Sequence, residues 1–321
     1  MKENFFKTCL KNNFKQTFSY LLRLIFKSHL LKEWISKSNV NDVIYYSYWF
    51  DDWATILSVL KFKKLIPDFI SRAHGFDLYN YRSNSGKIKF RKFQLENVRN
   101  IFAVSKDGEA YLKQTFPKYK EKVMQSYLGT RDFGVSLFKP TKTLKILTIS
   151  NLYHLKRIQL LVEALKYVRI NVEWTHFGDG ELLDEIKNLS SELPKNITCN
   201  FMGHRANKFL LNHIKNHHFD VFINISKFEG LPVSIIEAIS FGIPVFATDA
   251  GGTKEIVNSF TGMLFKNDID VKSLSLSIDS FFDSEFAQSE FRFQVREFWL
   301  ENFSADKNYT NFLKKIIFRI R

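Results

Sequence analysis

The stretch SKFEGLPVSIIEAISFGIPVFATDAGG, Ser226 to Gly252, decides how this chain folds. It opens on a turn, Glu229-Gly230-Leu231-Pro232, and continues as an apolar run of helical period that carries a second carboxylate, Glu237. Pro232 suits the first turn of a helix, where its missing N–H is no loss. Gly230 lets the backbone approach a ligand closely. Gly242 and Pro244 end the helix, and PVFATD follows as a short strand rich in β-formers. A helix starting at such a turn presents unpaired N–H groups and the positive end of its dipole. That is a site for a diphosphate. A carboxylate in an apolar run is costly unless a partner satisfies it, so Glu229 and Glu237 are the residues the rest of the chain has to explain.

Outward from this stretch the same alternation repeats. LKILTIS, VEWTHFG, ITCNFMG, FDVFINIS and PVFATD are strand candidates, separated by the helical runs RIQLLVEALKYV, GELLDEIKNLSSEL, NKFLLNHIKNH and PVSIIEAISFG. Strands alternating with helices at this spacing predict βαβ units and a parallel sheet covered on both faces. Ligands of such sheets bind beyond the carboxyl ends of the strands. The loops there hold Asn151, Lys156 and Arg157, the Gly178-Asp179-Gly180 turn, Gly203-His204, Glu229 to Pro232, and Asp249 with Gly251-Gly252. Lys156 and Arg157 are placed to clamp a diphosphate. Glu229 cannot face phosphates without repulsion, so it is expected to accept hydrogen bonds from hydroxyls beside them, and Glu237 from a different part of the ligand. Two such carboxylates flanking a phosphate site describe a nucleotide sugar. The plainer alternative makes Glu229 a solvated turn residue and Glu237 a helix residue paired to a lysine.

The first half holds about four strand candidates, in DVIYYSYW, DFISRAHGFDLY, NIFAV and VMQSYLGT, with helices through WATILSVLK and SKDGEAYLKQTF. Ser105 or Asp107 is the expected N-cap of the latter. Periodicity lapses from Arg131 to Thr143, which predicts a linker. Before Asn41 the chain is basic and helical in character, with Lys7, Lys11 and Lys15 at four-residue spacing and Phe14, Phe18, Leu21, Leu22 and Ile25 as the apolar face. That pattern fits a helix lying on an anionic membrane surface, and equally a surface helix whose lysines are solvated.

A length of 321 residues suits two domains, and 45% hydrophobic residues with 34 Phe are enough for a large core. The net charge of +14 favours an anionic partner. Nucleic acid is not expected, because no RRM, KH or helix-turn-helix pattern accompanies the charge. Cys9 and Cys199 are too far apart for metal-ligand spacing and read as free thiols of a reducing compartment. His154, His176, His204, His213, His217 and His218 form no metal spacing on one element with a third ligand in reach. With neither an apolar run of membrane-spanning length nor a signal-peptide pattern, the expected location is cytoplasmic, peripheral at the inner face of the membrane.

From about Lys145 to Thr261 the chain resembles the family-4, group 1 retaining glycosyltransferases of GT-B fold. Five loops agree in order: ISNLYHLKRIQLLVEAL, HFGDGELLDEI, FMGHRANKFL, SKFEGLPVSIIEAISFG and PVFATDAGGTKEIV. RAHGFDLY and IFAVSKDGEAYL resemble the end of the family's N-terminal domain. The resemblance implies an α/β fold of two facing Rossmann-like domains. They are set at 1–135 for the acceptor side and 136–295 for the nucleotide sugar, with a C-terminal helix, 296–321, returning toward the first. It implies that Glu229 binds donor-sugar hydroxyls, Glu237 the ribose, and Lys156 the diphosphate, while His74 projects toward the sugar. Asn151, Arg157, Gly178, Gly203, His204, Gly230, Leu231, Pro232 and Val233 complete the donor site. Neither metal nor cofactor is implied, since the UDP- or GDP-sugar is itself the substrate. The acceptor would be a glycan, free or carried on a polyprenyl diphosphate, in capsule or O-antigen assembly. Two departures stand out. Asn151 occupies a position where the family usually has Arg, with Arg157 adjoining the same site, and the N-terminal domain is expected to be shortened and incomplete. An inactive or weakly active nucleotide-sugar-binding subunit that needs a partner chain is the alternative.

Overall fold

The computed structural model describes residues 14–38, 43–83 and 86–317, with the side chains of 14–17 excepted. It divides into two compact units, Met1–Gln125 and Ser126–Arg321.

The first unit is built on four parallel strands, β1 (Tyr45–Ser47), β2 (Phe69–Ala73), β3 (Asn100–Ala103) and β4 (Val123–Gln125), in that spatial order. The order never reverses, so no topological switch lies within this sheet among the described residues. β2 and β3 are buried at every position, as expected of parallel strands covered on both faces. The helices Asp52–Phe62, Arg91–Asn97 and Lys106–Thr115 accompany the sheet, and Phe50, Leu57, Phe69, Leu95, Ile101 and Leu112 fill its core. The N-cap of Lys106–Thr115 is Ser105, whose Oγ accepts from Gly108 N at 3.0 Å.

The helix Phe14–Lys37 carries apolar residues on two sides. Its inward side is carried by Leu24, buried, with Leu31 and Ile35 packed on the core of the unit. Phe18, Leu22 and Ile25, expected on its apolar face, point out together with Phe26, Leu30 and Trp34, each 49–65% exposed. Apolar residues occupy both sides of this helix, and periodicity alone could not tell which side packs. Lys7, Lys11 and Cys9 lie outside the described residues.

The second unit carries β5 (Thr143–Ile149), β6 (Asn171–Phe177), β7 (Ile197–Phe201), β8 (Val221–Asn224), β9 (Val245–Thr248) and β10 (Gly262–Phe265), all parallel, in the order β10-β9-β8-β5-β6-β7. Helices Ile158–Leu165, Leu183–Ser191, Asn207–Asn216 and Val233–Ser240 follow the first four strands, as the sequence pattern requires. β10 and the helix Val271–Asp279 were not legible in that pattern. Leu144, Ile146, Leu161, Trp174, Ile223 and Phe246 form the core. The segment after Gln125 that lacks periodicity is braced by Arg292, buried in the helix Ser289–Asn302, which donates to Phe219 O at 2.9 Å and Ser136 Oγ at 2.7 Å. Burial lowers the pKa of this guanidinium to about 10.

The chain winds outward from β5 to β7 and then resumes at β8 in the opposite direction. The reversal lies between the hydrogen-bonded neighbours β5 and β8. A crevice is expected at that point, beyond the carboxyl ends of both strands.

Candidate functional site

The loops around the switch point are tied to one another by backbone contacts. Lys227 N, after β8, donates to Leu155 O, after β5, at 2.8 Å. Leu152 N donates to Asp179 O at 2.9 Å, and Gly178 N to Gly203 O at 3.0 Å, which joins the loops after β5, β6 and β7. Gly252 N donates to Gly230 O at 2.9 Å. Two of these approaches admit only glycine. A Cβ on Gly178 (φ +142°) would lie 1.8 Å from Ser150 O, and one on Gly251 (φ +55°) 2.2 Å from Glu229 O. The glycines of the FGDG and DAGG stretches therefore set the spacing of the loops that carry the charged residues.

Lys156 closes a short turn, His154–Lys156, and its Nζ donates to Glu229 Oε1 at 2.6 Å. Lys156 is 27% and Glu229 13% exposed at the side chain, so the pair is sheltered yet reachable from solvent. Arg157 follows at φ 54°, uncommon for a residue with a Cβ. Its guanidinium is committed to the protein: Nε to Ile225 O at 2.7 Å, one terminal nitrogen to Asn267 O at 2.7 Å, the other to Ser226 O and Thr248 Oγ1 at 3.2 and 3.3 Å. Arg157 thus braces the loops after β8 and β10 and the end of β9, while Lys156 is the cation beside Glu229. Asn151 is exposed on the loop after β5.

The helix Val233–Ser240 starts one residue beyond Pro232, which takes the cap position (φ −71°). The amides ahead of Ile235 have no partner within the helix, which is where an anion would be received. Leu231 is buried and Val233 is 43% exposed. Glu237 lies on the same helix between the buried Ile236 and Ala238. Its carboxyl is pushed up by desolvation and held back by Asn207, whose Nδ2 donates to Glu237 Oε1 at 2.9 Å. No lysine or arginine pairs with Glu237 among the described residues. His204 is exposed and Gly203 half-buried on the loop that leads to Asn207.

Two features of the site have no signal in the sequence. Asn207 is one, because nothing marks the first residue of NKFLLNHIKNH as a partner of Glu237. The other is His176, fully buried beneath the Gly178 turn. Trp174 Nε1 donates to Thr148 Oγ1 at 2.8 Å, and that hydroxyl also meets His176 Nδ1 at 2.8 Å. Burial lowers the pKa of this imidazole to about 4.

In the first unit His74 follows β2. Its backbone N–H donates to Asp77 Oδ1 at 2.6 Å, while Asp77 Oδ2 accepts from Phe50 N at 2.7 Å. The ring lies 4.8 Å from that of Tyr48 and 6.3 Å from that of Trp49, and neither ring nitrogen has a hydrogen-bond partner among the described residues. The site residues thus fall in two groups, His74 in one unit and the rest in the other.

Residues 131–298 match the family model described as Glycosyl transferases group 1. The chain is 31% identical over 140 residues to the O-antigen biosynthesis glycosyltransferase WbnH of Escherichia coli, across 43% of this chain and 38% of the relative. It is 26% identical over 228 residues to the UDP-Gal:alpha-D-GlcNAc-diphosphoundecaprenol alpha-1,3-galactosyltransferase of the same organism, across 64% of this chain and 58% of the relative. The matched segments therefore span less than two thirds of both relatives. Anabaena HepE, solved in complex with UDP and glucose, superposes with a TM-score of 0.72 at 16% identity, over 91% of this chain and 80% of that one. Its fold is shared by this protein: two Rossmann-like units of the GT-B type.

Proposed function

The chain belongs to the group 1 glycosyl transferases, and from that premise we propose that it transfers a sugar, with retention, from a UDP- or GDP-sugar to a glycan or lipid-linked glycan acceptor in surface-polysaccharide assembly. The observation that carries this reading is the Lys156–Glu229 pair at 2.6 Å, at the switch between β5 and β8 and next to the N-terminus of Val233–Ser240. In the proposed complex Lys156 and the helix amides receive the diphosphate and stabilise the nucleoside diphosphate as it leaves. Glu229, released from Lys156 by the competing phosphates, accepts hydroxyls of the transferred sugar, and Glu237 accepts those of the ribose. Fixed cations and amides supply the charge neutralisation, so the reaction needs no metal. His74 serves the transferred sugar from the first unit. The relatives named above support the choice of UDP donor and lipid-linked acceptor.

The exposed face of Phe14–Lys37 supports docking on an anionic membrane. Phe18, Leu22, Phe26, Leu30 and Trp34 recur every four residues, with Arg23, Lys27, Lys32 and Lys37 among them. No described helix is long and apolar enough to cross a membrane.

The test is transfer and donor hydrolysis with a panel of UDP- and GDP-sugars, together with calorimetric binding of UDP and GDP. Glu229→Ala is expected to lower transfer by about 100-fold or more. Unchanged transfer and donor binding in that variant would refute the site. Nucleotide binding with no turnover on any donor would favour the binding-subunit alternative.

A further inference from the structure

We infer that Asn207 is a positioning residue for the donor: its side-chain amide holds one oxygen of Glu237, which leaves the other oxygen turned to the ribose, and ties the loop after β7 to the helix after β8. The inference rests on the nucleotide-sugar reading given above. The geometry is a single contact, Asn207 Nδ2 to Glu237 Oε1 at 2.9 Å, between residues 30 positions apart. Asn207 is the first residue of the helix Asn207–Asn216 and is exposed, at the end of the Gly203-His204-Arg205-Ala206 loop. Glu237 sits on its helix between the buried Ile236 and Ala238.

The chemistry of the pair explains why an amide stands there. A ribose is held through its hydroxyls, which donate to an ionised carboxylate. Burial works against ionisation of Glu237, and a hydrogen bond to the charged form favours it. An amide donor supplies that bond without bringing a positive charge that would neutralise the acceptor or draw the diphosphate away from Lys156. It also has no charge of its own to repel the carboxylate, as Asp would. Because the contact spans two loops, it also ties the placement of Gly203 and His204 to the orientation of Glu237.

Two variants separate positioning from folding. Asn207→Leu removes the amide, and Asn207→Asp removes the donor while keeping the shape. Binding of UDP, 2′-deoxy-UDP and 3′-deoxy-UDP is measured by calorimetry across pH, and the Glu237 carboxyl is followed by carbon NMR with Glu237→Gln as the assignment control. If the wild type prefers GDP, the guanosine series replaces these probes. The expected result is about a tenfold loss of nucleotide affinity at neutral pH, a reduced preference for the intact ribose, and an upward shift of the Glu237 titration, larger in Asn207→Asp. A general loss of stability would move neither the ribose preference nor the titration midpoint. Wild-type preference for the intact ribose that persists in both variants, with an unmoved midpoint, overturns the inference alone. A wild type that binds neither nucleotide series overturns the underlying reading and the inference with it.

Discussion

Lys156 and Glu229 are 73 residues apart in the chain and 2.6 Å apart in space. Replacing Lys156 with Ala is expected to weaken diphosphate binding and transfer together, because it removes the cation that, in the proposed complex, the phosphates and Glu229 share. Calorimetry with UDP against uridine reads this directly, and an unchanged ratio of the two affinities would contradict it. Gly251→Ala tests the frame beneath the pair. The new Cβ has to displace Glu229 O in a left-handed backbone conformation, and a loss of about 1–3 kcal/mol in unfolding free energy is expected. The donor KM should rise with it, since the displaced atom belongs to Glu229. His176 gives a pH dependence. Its pKa lies near 4 in the fold against 6.5 for the unreacted reference, so the unfolded chain binds the extra proton between these values. The stability in question is fully present above pH 6.5 and is lost as the pH falls toward 4, on the order of 3 kcal/mol in all. Denaturant unfolding of wild type and His176→Gln at several pH values checks this, and equal slopes in the two would refute it.

At the scale of elements, Phe14–Lys37 contrasts with Ile158–Leu165. In Ile158–Leu165 the apolar face is the packed face, and Ile158, Leu161, Val162 and Leu165 are all buried. In Phe14–Lys37 the inward stripe is completed by Leu24, Leu31 and Ile35, while a second stripe remains uncovered among the described residues. Phe26→Asp with Leu30→Asp should leave folding intact, because both residues are exposed, and should weaken association with anionic vesicles by about tenfold or more. Co-sedimentation with anionic and neutral vesicles at low and high salt distinguishes the apolar from the electrostatic part. Association that is unaffected by the double substitution would remove this helix from the proposed membrane contact. Sequence periodicity marks such a helix as amphipathic but cannot say which of two apolar stripes faces the protein.

For the whole molecule, the division at Gln125 and Ser126 puts the residues proposed to bind the donor in one unit and His74 in the other. A nucleotide bound to the second unit alone should stabilise that unit, by about 2.7 kcal/mol at a concentration 100 times its Kd. Hydrogen exchange should then slow in β5, β8 and Val233–Ser240 while β2 and β3 keep their rates. Equal protection of both units would refute the assignment of the donor to the second. Much of this architecture was legible from residues. The βαβ pattern between Lys145 and Asp249 is repeated and strongly periodic, and the turn chemistry of Glu229 to Pro232 and of Gly242 to Pro244 marks both ends of one helix. β10 and Val271–Asp279 were not legible, because GMLF is short and the helix interleaves serine with its apolar residues.

The local residue pattern by itself determined the alternation of strand and helix, the parallel sheet of the second unit, and the loops in which charged residues gather. Those are consequences of period, capping and turn geometry, all of which act within a few residues. Tertiary structure alone decided which charges meet. Strand order brings the loop after β5 beside the loop after β8, so that Lys156 faces Glu229 while Arg157, one residue on, turns its donors to backbone carbonyls. It also sets Asn207 against Glu237 and His176 beneath Gly178. Hydrogen bonds and ion pairs act over about 3 Å, and no local sequence pattern specifies which residues from distant segments come within that reach.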